Sequence, residues 1–85
     1  MIHQIYALKD NLANVFMAPQ LFQNENVALR NFSEIINSTG IFKNNPADFE
    51  LWKLGEFDDH DGIIIPNPEK MATGLSVVKG EQHGN

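Results

Sequence analysis

The stretch from Pro46 to Asp58 reads PADFELWKLGEFD, and its reading decides the fold. It carries the only Trp of the 85-residue chain and leads into a hairpin signal, DDHDG, at Asp58 to Gly62. Phe49 and Leu51 share one parity around Glu50, whereas Trp52 and Leu54 have the other. Successive strand residues point to opposite faces, so a strand with one wet face keeps its apolar residues on one parity. Two arrangements accommodate this pattern: a strand covered on both faces, or a bulge near Gly55 that shifts the parity. In so short a chain, cover on both faces points to a second copy. That makes Trp52, Leu54 and Phe57 the candidate oligomer interface.

Working outward, Asp59-His60-Asp61-Gly62 forms the turn, with Gly62 suited to a positive φ at its exit. Ile63-Ile64-Ile65 returns as the partner strand until Pro66 and Pro68 stop it, and Met71 to Val78 reads as a last short strand. Upstream, Asn44-Asn45-Pro46 marks a break, with a short turn beginning at Pro46. Before the break lies the helix, roughly Asn24–Ser38. Asn24 is its N-cap and Glu25 lies in its first turn, where the helix dipole favours a carboxylate. Ala28, Leu29, Phe32, Ile35 and Ile36 form an apolar stripe at helical spacing, and Gly40 follows as a left-handed stop. The opposite face carries Asn26, Arg30, Asn31, Glu34 and Asn37, a solvated face with a single cation. At the N-terminus, MIHQIYAL reads as a first strand, Asn11 to Asn14 as a turn, and Val15 to Ala18 as a second strand limited by Pro19. The expected architecture is α+β: an antiparallel sheet of four to five strands packed on one long helix, in β-β-α-β-β order. Residues 1–78 make a single domain, and 79–85 (KGEQHGN) have the composition of a flexible tail.

Composition narrows the function. Without cysteine there is no disulfide, thiolate catalyst or Cys-based metal site. Nothing approaches the roughly 20 apolar residues of a membrane span. Met1-Ile2-His3-Gln4 lacks the basic and apolar regions of an export signal. Eleven acidic residues against six basic give a net charge of −5. Binding to phosphates draws on Lys and Arg that displace counterions, so a nucleic-acid role requires folding or self-association to gather the few cations.

The chemistry-bearing residues do not assemble into a catalytic set. Aligning Gly62 to the sixth position of an EF-hand loop puts Phe57 at the first and Pro68 at the twelfth, where calcium ligands are required. The acidic turn is therefore a solvated hairpin tip, and no metal site is expected. His3, His60 and His83 lie in separate segments, and no serine sits in a nucleophile-elbow context. The glycines are isolated turn positions with no phosphate-binding pattern, so neither a cofactor nor an enzymatic activity is expected. Aromatic residues keep a binding role open. Trp52, Phe57 and Tyr6 could stack on bases of single-stranded nucleic acid, against the alternative that they fill a core or an interface.

The segments YALKD (Tyr6–Asp10), APQLFQNENVALRNFSEIIN (Ala18–Asn37) and PADFELWKLGEFDDHDGII (Pro46–Ile64) come in an order that resembles the small nonstructural protein of gokushovirus-type microviruses, the single-stranded DNA phages. The similarity runs from about Tyr6 to Ile65. Its most specific residues are Pro46, Asp48-Phe49, Leu51, Leu54-Gly55, Phe57-Asp58 and Gly62, with Ala28-Leu29-Arg30 and Phe32 in the helix. The resemblance implies a non-enzymatic phage protein in the host cytoplasm. Its implied task is binding single-stranded DNA in genome replication or handing it to packaging. It supplies no catalytic residues. On that reading Lys9, Arg30, Lys43 and Lys53 would converge, in an oligomer and most simply a homodimer, beside Trp52 and Tyr6. The alternative is an acidic protein-interaction module whose hairpin and exposed apolar strand engage a phage replication, scaffolding or host protein.

Overall fold

The computed structural model describes residues 1–79. Strand β1 (Ile2–Asp10) turns through residues 11–14 into β2 (Val15–Phe16) and then β3 (Gln20–Phe22). The turn is held by the Asp10 carboxylate, whose Oδ1 accepts from the backbone N–H groups of Leu12 (3.0 Å) and Ala13 (3.2 Å). Helix α1 (Glu25–Ile36) follows, then the single helical turn α2 (Ile41–Asn44) and a 3-10 turn at Pro46–Asp48. The long strands β4 (Phe49–Asp58) and β5 (Ile63–Thr73) form a hairpin, and the turn α3 (Gly74–Val77) closes the described chain. All strand pairs are antiparallel. The sheet order is β2-β1-β4-β5, with β3 also on β1, so β5 is an edge.

The fold class is α+β, and the sheet has five strands. Three expectations are corrected. The element order is β-β-β-α rather than β-β-α before the central hairpin, because Gln20–Phe22 pairs with Gln4–Tyr6 as a further short strand. The helix is not alone: α2 and α3 flank it. Pro66 and Pro68 do not stop β5. Proline removes a donor that a central strand needs, but an edge strand can do without it on its open side. Met71–Val78 is consequently the end of β5 followed by a helical turn, with the Thr73 hydroxyl accepting from the Ser76 N–H at 3.2 Å. The expected flexible tail, 79–85, lies outside the described residues except for Lys79. The Lys79 backbone N–H donates to Asn37 Oδ1 at 2.7 Å.

Helix α1 starts where the sequence says it should. Asn24 is extended (φ −159°, ψ 174°), and its Oδ1 accepts from Val27 N–H at 3.0 Å. The apolar stripe faces the sheet. Ala28, Phe32 and Ile36 are buried and pack with Tyr6, Phe49 and Leu51, with Leu8, Phe22, Leu29, Phe42, Met71, Ala72 and Val77 around them. The helix ends at Asn37 rather than at Gly40, which instead opens α2 with φ 68°. Asn37 Nδ2 donates to Ser33 O (2.7 Å) and Val77 O (3.0 Å), tying the helix end to the chain leaving the sheet.

The expected bulge is present in β4, but Trp52 precedes it and lies on the opposite face from Phe49 and Leu51, and the bulge brings Phe57 onto Trp52's face. The β1–β4 register shifts between Ile5 and Tyr6, and the β4–β5 register shifts between Lys53 and Gly55. Gly55 has φ 154°, and a Cβ there would collide with the backbone of Ile65 and Pro66. No larger residue allows this approach without displacing β5.

The bulge divides the sheet in two. Toward Asp10 and Phe49, one face is covered by α1. Toward the 59–62 turn, no residue of 2–5, 54–58 or 63–68 belongs to the core cluster or packs on it. Ile63, Ile64 and Ile65 are 51%, 63% and 52% exposed. This overhang stretches the molecule to 51 × 26 × 18 Å, with a radius of gyration of 14.1 Å. A compact domain of this length has about 12 Å.

Candidate functional site

Alternation along β1 places Tyr6 and Leu8 on the helix side and Ile5, Ala7 and Lys9 on the other. The register carries this across the sheet: Ala7 pairs with Trp52, Trp52 with Lys70, Lys9 with Phe16, Ile5 with Leu21, and Phe57 with both His3 and Ile64. The face away from α1 is therefore one continuous surface. It has an aromatic, cationic end and an apolar end.

At the aromatic end, Phe16 and Trp52 meet edge to face, with centroids 5.6 Å apart. Lys9 Nζ lies 5.5 Å from each ring centroid. The indole Nε1–H donates to Glu50 Oε1 at 2.8 Å, and Glu50 Oε2 lies 3.5 Å from Lys70 Nζ. The Trp52 hydrogen bond is the main reason the Glu50 carboxyl titrates below its ordinary value, with Asn11 and Lys70 adding to it against the opposing effect of burial. An edge-to-face aromatic pair with a cation beside both rings offers a ring face for stacking and one phosphate contact.

At the other end, Ile5, Pro19, Gln20, Leu21, Phe57 and Ile64 line an open groove of about 310 Å³ that is almost wholly apolar. His3 stacks on Phe57 at 6.0 Å. The groove is bounded by the acidic turn. There the Asp58 O and Oδ1 accept from Gly62 N–H (2.8 Å) and His60 N–H (2.9 Å). Asp59 bonds the N-terminal ammonium (2.7 Å) and His3 Nε2 (2.8 Å). These two bonds hold the Asp59 carboxyl below its ordinary value, and the same contact raises the terminal amine. On the helix side of the sheet, a cleft of about 40 Å³ beside Tyr6 and Asn31 has room only for a few waters.

The expected DNA-contact residues are only partly gathered. Lys9 and Trp52 come together. Tyr6 does not join them: it is 2% exposed, packed edge-on against Phe22 at 5.9 Å, and burial raises its phenol pKa. With no face open to a base, it is a core residue. Arg30 is exposed on α1 and Lys43 on α2, both away from the Trp52 face, while Lys53 is in register with Tyr6 on the helix side. Of the proposed interface residues, Trp52 and Phe57 lie on the open face, and Leu54 is the half-buried extra residue of the bulge. Phe16, Lys70, Ile5, Leu21 and Ile64 were not singled out from the sequence. Phe16 had a usable signal: a four-residue turn at 11–14 places it opposite Lys9.

The model of the Phage ORF5 protein family matches residues 3–77. The chain belongs to that family. No curated protein and no solved structure is significantly similar to it. The match takes in both ends of the open face and the whole of α1, so the surface just described is part of what the family model covers. Among the described residues no helix is long and apolar enough to cross a membrane.

Proposed function

We propose that this member of the Phage ORF5 family is a non-enzymatic accessory protein of a gokushovirus-type phage. It works in the host cytoplasm and holds single-stranded DNA during replication or its transfer to packaging. The observation that supports this is the Phe16–Trp52 pair with Lys9 Nζ 5.5 Å from both rings on an uncovered sheet face. Stacking one base there is worth about 1–3 kcal/mol and tolerates any sequence. Because Arg30, Lys43 and Lys53 lie elsewhere and Lys70 is paired with Glu50, Lys9 is the cation placed to meet a phosphate, and binding rests on stacking more than on charge.

The test is a titration of Trp52 fluorescence with an oligo-dT at about 50 and 200 mM salt. One neutralised phosphate gives a log–log salt slope of about −0.7, far shallower than that of a basic DNA-binding protein. Trp52→Ala and Lys9→Ala each weaken binding. Absence of binding at about 50 mM salt rejects the reading. A second reading, an acidic protein-interaction module, is favoured by the uncovered apolar half of the sheet and the Asp58–Asp61 turn beside it. Recovery of one phage or host protein with the wild type, lost in Ile64→Lys, would favour it over DNA.

A further inference from the structure

We infer that the Ile63–Ile65 edge of β5 pairs with the same edge of a second copy, antiparallel about a two-fold axis through Ile64, so that two sheets become one. The inference does not rest on DNA binding. Three observations carry it.

The first is the backbone. Strand β5 ends the sheet, so one of its sides has no partner strand. The Asp59 N–H donates to Met1 O at 3.1 Å, which points the backbone groups of residue 59 toward β1. Direction alternates along an antiparallel strand, so those of Asp58 and Glu56 point toward β5 and those of Phe57 toward β1. Asp58 pairs with Ile63, Phe57 with Ile64 and Glu56 with Ile65. Ile63 and Ile65 therefore bond β4, while the N–H and C=O of Ile64 point to the open side. Pro66 obeys the same alternation, since its missing N–H falls on that open side.

The second is an asymmetry along the edge. Sheets blunt their exposed edges with proline, bulges and charge. Beyond Ile65, β5 carries Pro66, Pro68, Glu69 and Lys70, and its register with β4 shifts twice. The Ile63-Ile64-Ile65 run has none of these protections. Its register is regular, and its three side chains, which alternate between the two faces, are each about half exposed or more. An unprotected β-branched run beside a protected one marks a place for strand addition.

The third is self-complementarity, which selects a second copy as the added strand. A two-fold contact joins a patch to itself. With Ile64 opposite Ile64, each copy's N–H donates to the other's C=O. The two Ile64 side chains meet on the face away from α1, and Ile63 meets Ile65 of the other copy, twice, on the α1 side. Such cross-strand β-branched pairs stabilise a sheet. Asp61 comes opposite the uncharged Asn67, and Asp59, which comes toward Glu69, already bonds the N-terminal ammonium and His3. The far side of the sheet ends in β2 and β3, of two and three residues, too short to receive β5 in a head-to-tail array. The contact is smaller than the roughly 800 Å² per partner of a standard interface, so the dimer is a weak one. It leaves the Phe16–Trp52 surface open and sets the two copies' surfaces on one side of the joined sheet.

The chain has no cysteine, so a single introduced one reports the register. Opposed residues of a hydrogen-bonded pair have Cα atoms about 5.5 Å apart, within reach of a disulfide. The two Ile63 positions are offset by two residues and lie about 8 Å apart, beyond that reach. Under mild oxidation Ile64→Cys is expected to cross-link into a dimer, twice 9.6 kDa, at least about tenfold faster than the similarly exposed Ile63→Cys. Ile64→Pro removes the outward donor and no bond to β4. Sedimentation equilibrium up to about 1 mM is expected to show the wild type dimerising, and Ile64→Pro at least about tenfold more weakly with an unchanged far-UV spectrum. If Ile64→Pro loses that spectrum, the cysteine comparison decides alone. Equal cross-linking of the two cysteine chains overturns the inference, as does a wild type that stays monomeric throughout or a dimer indifferent to a folded Ile64→Pro. Oligo-dT titration at about 1 µM protein, below the range of a weak dimer, reads DNA binding separately.

Discussion

At the scale of single residues, Trp52 and Glu50 show how one side chain serves both stability and surface chemistry. The two are neighbours on the same face of β4, and the indole N–H is given to the carboxylate rather than to solvent. That bond favours the ionised form, so Glu50 titrates below its ordinary 4.5. The sign follows from linkage. A carboxyl with a lowered folded pKa contributes stability that is complete above pH 4.5 and lost as pH falls through the lowered value. Trp52→Phe keeps a ring against Phe16 but removes the donor. It is expected to move the Glu50 titration up toward 4.5 and to cost about 1 kcal/mol at neutral pH. The loss of stability on acidification below pH 4.5 should shrink in parallel. NMR titration of the Glu50 side chain, with urea melts at pH 3 and 7, measures both effects. An unchanged Glu50 titration would mean that Lys70, not the indole, sets its pKa. None of this pairing was legible in the sequence, because Glu50 and Trp52 are simply i and i+2. What brings them together is the uncovered face, and a pattern of residue types does not reveal which face is uncovered.

At the scale of elements, the N-terminal strand is fastened to the hairpin tip by Asp59, which bonds the terminal ammonium at 2.7 Å and His3 at 2.8 Å. The Asp59 carboxyl is lowered from 3.8 and the amine is raised from 8.0, each chiefly by the hydrogen bond to the other. The carboxylate's contribution is present above pH 3.8 and lost as pH falls through its lowered pKa. The amine's contribution is present below pH 8.0 and lost as pH rises through its raised pKa. The clamp therefore holds fully between those limits and loosens on both sides. Asp59→Asn should raise amide exchange at Ile2–Gln4 near neutral pH while leaving Tyr6 and Leu51 protected, and the effect should fade as pH rises through the raised pKa of the amine. Both groups are exposed, so global stability should change little. Legibility at this scale tracks locality. Helix α1 was readable because its cap, its stripe and its first-turn carboxylate are all local signals, and so was the turn at Asp59–Gly62. Strand β3 and the passage of β5 through Pro66 and Pro68 were not. A three-residue strand has no periodicity to detect, and whether proline ends a strand depends on whether that strand is an edge, which is a property of the sheet order. Lys9 and Trp52 were singled out by residue type and the sheet brings them together, whereas Tyr6 is buried, because an aromatic in a strand reads the same on either face.

At the scale of the whole molecule, the bulge at Gly55 separates two halves with different stability. The half bearing Tyr6, Leu8, Phe49 and Leu51 shares the core with Ala28, Phe32 and Ile36, of which Phe32 and Ile36 are fully buried. The half bearing Ile2–Ile5, Gly55–Asp58 and Ile63–Pro66 has strand pairing but no helix behind it. Antiparallel ribbons without a covered face are marginal in water, and local opening occurs where apolar contacts are few. Hydrogen exchange at low protein concentration should show a two-step profile. Amides of 2–5, 56–58 and 63–65 should exchange at least about tenfold faster than those of 6–8, 28–36 and 49–52, whose opening requires disruption of the core. Uniform protection in the monomer would mean that the overhang is stable alone.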